Sequence, residues 1–133
     1  MELKQIIEAC QYRICGGTEH MWDCYGPDAR YLDFSDQDGT ETVSCVFDSK
    51  SQHVYQVDMH VPGYDQGFVW RDPAYEALYQ AECERRGIKP NHAWDDVYYD
   101  VVDEATALSR ARDIIGTYYD DLPVAERSPE YES

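Results

Sequence analysis

The sequence predicts an α+β fold: an antiparallel sheet of about four or five strands with three helices packed mainly on one face. Three observations predict it. Apolar and polar residues alternate across Val43 to Val61, each end of the chain carries a helical apolar repeat, and a well-capped helix lies between strand-like segments. The order of elements, α, several β, α, β, α, segregates helices from most strands as α+β proteins do.

Leu3, Ile6, Ile7 and Cys10 recur at i, i+3, i+4 and i+7, one apolar stripe of a helix expected to stop near Arg13, before Gly16-Gly17. A short extended piece is expected over 21–24, then a turn at Gly26-Pro27-Asp28 and a strand from Arg30 to Phe34. Asp36-Gln37-Asp38-Gly39 reads as a hairpin turn, because Asp-Gly supplies positive backbone angles. Val43, Cys45 and Phe47 alternate with polar neighbours, and after Ser49-Lys50-Ser51-Gln52 the pattern resumes at His53, Tyr55, Val57, Met59 and Val61. Such alternation marks antiparallel strands with one buried face, which leaves Asp58 and His60 on the other. Pro62-Gly63 ends this pair, and Phe68 to Trp70 is a further short strand.

Asp72-Pro73 is a helix start and Gly87 a helix stop, with Tyr75, Leu78 and Tyr79 expected toward the core. Val97, Tyr99 and Val101 give a last strand. Asp103 caps a closing helix whose apolar face is Ala107, Leu108, Ala111, Ile114 and Ile115, with Gly116 expected to end it. Residues 1–124 form one expected domain, and 125–133 an acidic, flexible tail.

The charge is the strongest functional signal. Twenty-seven Asp and Glu against eleven Lys and Arg give a net of −16 on 133 residues, yet twelve Tyr, three Trp and three Phe supply the apolar surface of a folding chain. Residues 14–68 and 94–133 carry −8 each, whereas 1–13 and 69–93 balance. A general solubility or high-salt surface would acidify the helices at both balanced stretches as well. A field of this sign repels nucleic acid and anionic membrane and attracts basic protein surfaces. No run of about 18 apolar residues exists, and Met1-Glu2-Leu3-Lys4 lacks the regions of a signal peptide, so a cytoplasmic protein is expected. Five unpaired cysteines fit free thiols in a reducing compartment.

No metal or cofactor is expected. Cys15, His20 and Cys24 have spacings that match no zinc pattern, and Asp36, Asp38 and Glu41 fail as a calcium loop because Phe34 stands at the first ligand position. The chain carries no phosphate-binding glycine loop, no G-x-S-x-G and no H-E-x-x-H, and is not expected to be an enzyme. The alternative of another class is a small enzyme or ligand-binding domain using His20, Cys24 and His60. The preferred site residues are acids interleaved with aromatics, the composition of a protein interface. They are Asp33, Asp36, Asp38 and Glu41 in one stretch, and Trp94, Asp95, Asp96, Tyr98, Asp100, Tyr118, Tyr119, Asp120 and Asp121 in the other.

In size, charge and Tyr/Trp content the chain resembles small anti-restriction, anti-CRISPR and DNA-glycosylase-inhibitor proteins of bacteriophages. Gly17 to Pro27, Ala29 to Phe34, Val46-Phe47-Asp48 and Ala93 to Val97 also look like segments of uncharacterised phage-encoded proteins. The resemblance implies an acidic inhibitor that mimics DNA and sits on the basic nucleic-acid-binding surface of a host enzyme, acting in the host cytoplasm. It carries no catalytic residue over. An immunity protein or antitoxin against a basic nuclease toxin would have the same electrostatics. Two copies pairing through an exposed sheet edge is a further expectation.

Overall fold

The computed structural model describes residues 1–13, 28–34, 43–60, 67–89 and 99–119, and the backbone of 16–20. Three helices, α1 (Leu3–Ala9), α2 (Pro73–Arg86) and α3 (Glu104–Tyr118), accompany six strands, β1 (Gly16–His20), β2 (Ala29–Asp33), β3 (Val43–Asp48), β4 (Val54–His60), β5 (Gly67–Arg71) and β6 (Tyr99–Val101). The strands form one sheet in chain order, β1-β2-β3-β4-β5-β6.

Alternation in β3 and β4 determines which side of the sheet is apolar. Val43 pairs with Met59 and Cys45 with Val57, and an irregularity between Val46 and Phe47 brings Phe47 opposite Val54. Leu32 pairs with Cys45, Val57 with Trp70 and Met59 with Phe68, so the same side continues across four strands. Two helices cover it. Leu3, Ile6, Ile7 and Cys10 of the α1 segment and Ala107, Ala111, Ile114 and Ile115 of α3 share one core with these strand residues. The Arg110 guanidinium, 5.0 Å from the centre of the Phe68 ring, ties α3 to β5.

The α+β class with a mostly antiparallel sheet is the one the sequence predicts, and four points of detail differ. First, α1 stops at Ala9, because Gln11 and Tyr12 adopt left-handed backbone angles (φ 57° and 61°), and Gly16-Gly17 begins β1 instead of merely ending a helix. Second, β6 pairs parallel to β5, which requires the chain to return the length of the sheet between them. The described part of that return is α2, about 21 Å long at 1.5 Å per residue. Third, α2 does not join the main core. Its Tyr79 and Cys83 bury in a separate small cluster with Tyr75, which stacks on Tyr55 at 3.7 Å, while Leu78 faces solvent at 68% exposure. Fourth, α3 continues past Gly116 to Tyr118. A Cβ on Gly116 would lie 3.1 Å from the Gln11 amide nitrogen, so this glycine permits close approach of the α1 segment.

The cap predicted at Asp72 is present. Its carboxylate accepts from the Ala74 and Tyr75 N–H groups at 2.9 and 3.4 Å and from His53 Nε2 at 2.5 Å. Burial opposes ionisation of Asp72, but the His53 hydrogen bond and the two backbone donors outweigh it and hold its carboxyl below the usual range. Asp103 is lowered likewise by Thr106, whose N–H donates at 2.7 Å. A folded pKa below the unfolded one contributes stability that is present above about pH 4 and lost as pH falls through the folded value. Asp72→Asn keeps an acceptor and removes the charge. Its stability gap to the wild type is therefore expected to be full at pH 6 to 7 and to close progressively below about pH 4, measured as urea midpoints. Asp72→Ala, which also removes the cap, is expected to cost about 1–2 kcal/mol at neutral pH.

Candidate partner-binding surface

Strand direction decides which connections meet at the same end of the sheet. The chain leaves β2 at Phe34 and re-enters β3 at Val43, where the Phe34 N–H donates to the Val43 carbonyl at 2.9 Å. It leaves β4 at His60 and re-enters β5 at Gly67, which pairs with His60 and also with Tyr99, the first residue of β6. Phe34, Val43, His60, Gly67 and Tyr99 thus mark one end, called here the Phe34 end. The opposite end is marked by His53, which lies against Glu2 and Asp72, and by the Met1 amine, 3.4 Å from Glu104. From there α1 and α3 run side by side, bringing Gly116 against Gln11 and the last turn of α3 toward the Phe34 end.

Two of the predicted acids lie in the described strands near this end. Asp33 is half-buried and pairs with Ser44, which pairs with Asp58, so two carboxylates flank Ser44 on neighbouring strands. Asp100 is exposed on β6. Tyr118 is also exposed, at 45%, as an interface anchor requires, but Tyr119 is 6% exposed and belongs to the core, so its role is packing. Asp36, Asp38, Glu41, Trp94, Asp95, Asp96, Tyr98, Asp120 and Asp121 lie outside the described residues, as do the expected 21–24 piece and the tail.

Sequence reasoning passed over the polar side of the sheet as a unit. Tyr31, Asp33, Gln56, Asp58, His60, Arg71 and Tyr99 share the side opposite the core, by register, and all are half-buried or more. The Gln56 amide donates to both oxygens of Asp58 at 3.1 and 3.0 Å, and the Tyr99 ring meets His60 edge-on with centroids 6.3 Å apart. The signal was available, since the alternation that buries Val57 and Met59 must turn Gln56, Asp58 and His60 the other way.

Cys10 and Cys45 are fully enclosed. Burial, then the charges of Asp33 and Asp58, push the Cys45 thiol up, and burial with Cys45 nearby does the same to Cys10, which keeps both protonated. Cys83 is buried as well. His20 and His60 are the last residues of β1 and β4, strands that run in opposite directions with two strands between them, so the two residues sit at opposite ends of the sheet. The described structure therefore does not bring this pair together, and Cys24 lies outside it. Among the described residues no group of His, Cys, Asp and Glu is arranged to hold a metal ion, and no helix is long and apolar enough to cross a membrane.

The described side chains hold fourteen of the 27 acids and ten of the eleven Lys and Arg, a net of −4. The remaining acids share their segments with a single cation, Arg127. The framework is close to neutral, and apart from Glu19 in β1 the excess charge belongs to the stretches that join or follow its elements. No family model matches the chain, and neither a curated protein nor a solved structure does.

Proposed function

We propose that this chain is an acidic protein-binding inhibitor that occupies the basic nucleic-acid-binding surface of a host enzyme such as a restriction, CRISPR or repair nuclease or glycosylase. The observation that carries the reading is the topology of the charge. The connections 35–42 and 61–66 join strands at the Phe34 end, 90–98 enters β6 there, and residues 120 and 121 follow α3 in the sequence. Together these segments hold Asp36, Asp38, Glu41, Asp65, Asp95, Asp96, Asp120 and Asp121 without one Lys or Arg. Two stretches that are remote in sequence thus connect to the framework at one end, and in this reading they form one acidic pole.

A pole of carboxylates on a nearly neutral framework would offer a basic groove what a duplex offers it, a concentration of anionic oxygens. Association would release the groove's condensed anions and weaken steeply with salt, and the protein's own field would repel nucleic acid. The aromatic residues interleaved with the acids, Trp94 and Tyr98, supply the apolar anchors that charge alone lacks. Capture from host lysate on the immobilised protein at low salt, followed by a salt gradient, tests this reading. A basic nucleic-acid-binding protein eluting late in the gradient supports it, and a lysate with no salt-sensitive partner refutes it.

A further inference from the structure

We draw no further inference here: the strongest candidate, the polar side of the sheet where Asp33 and Asp58 flank Ser44 beside Gln56 and His60, is a cluster of carboxylates that already have partners within the chain, and nothing in the structure shows what ligand it would take.

Discussion

Gly67→Ala is expected to be the most damaging single substitution in the sheet, costing about 3 kcal/mol or more. A Cβ at this position would overlap the Tyr99 ring and the Met59 carbonyl oxygen, and the second of these is backbone that has no rotamer to escape into. Gly67 is the point where β4, β5 and β6 meet, paired to His60 on one side and Tyr99 on the other. Strain here propagates into the parallel β5–β6 pairing, which spans only three residue pairs. Chemical denaturation reads the cost. Because the Met59 carbonyl remains in place, Tyr99→Ala should restore only part of the loss in the double variant, whereas full restoration would locate the whole clash in the aromatic ring.

The second large effect concerns binding. Asp95, Asp96 and Asp100 changed together to Asn, and Asp33, Asp36, Asp38 and Glu41 changed to their amides, are each expected to weaken partner affinity by ~10- to 100-fold while circular dichroism stays unchanged. The topology adds a sharper expectation. On the proposed single pole, the combined variant should behave as if one surface had been neutralised, with a salt dependence flatter than that of either set alone. Two surfaces acting on separate partners would instead leave one interaction at full strength in each variant. Asp33 is half-buried beside Ser44, so within its set Asp36, Asp38 and Glu41 are expected to carry most of the effect.

Much of the framework was legible from residues alone, for physical reasons that can be named. The β3–β4 pair follows from alternation, which has one solution when one face is buried. The start and end of α2 follow from Asp72 and Gly87, the latter at φ 70°, where only glycine is unstrained. The readings that failed depended on tertiary context. Nothing local distinguishes Gly16-Gly17 as a helix stop from Gly16-Gly17 as the start of an edge strand whose partners in β2, Asp33 and Leu32, lie 17 and 15 residues on. Tyr75, Leu78 and Tyr79 stand at i, i+3 and i+4, the spacing of an inward stripe, but the stripe that buries is Tyr75, Tyr79 and Cys83 at intervals of four. Tyr118 and Tyr119 are indistinguishable in a sequence of paired tyrosines, and the phase of α3 sends one to solvent and the other to the core. The acids were legible as two stretches; that 35–42, 61–66 and 90–98 attach to the sheet at a common end is visible only in the strand order.

The most direct test of the central claim is competition on the captured partner: the protein is titrated into that partner's complex with labelled duplex DNA at fixed low salt, and fluorescence anisotropy follows the release. The account predicts complete displacement of DNA with mutual exclusion at saturation, and loss of displacement in the combined Asp variant. A ternary complex, in which protein and duplex occupy the partner together, would contradict it.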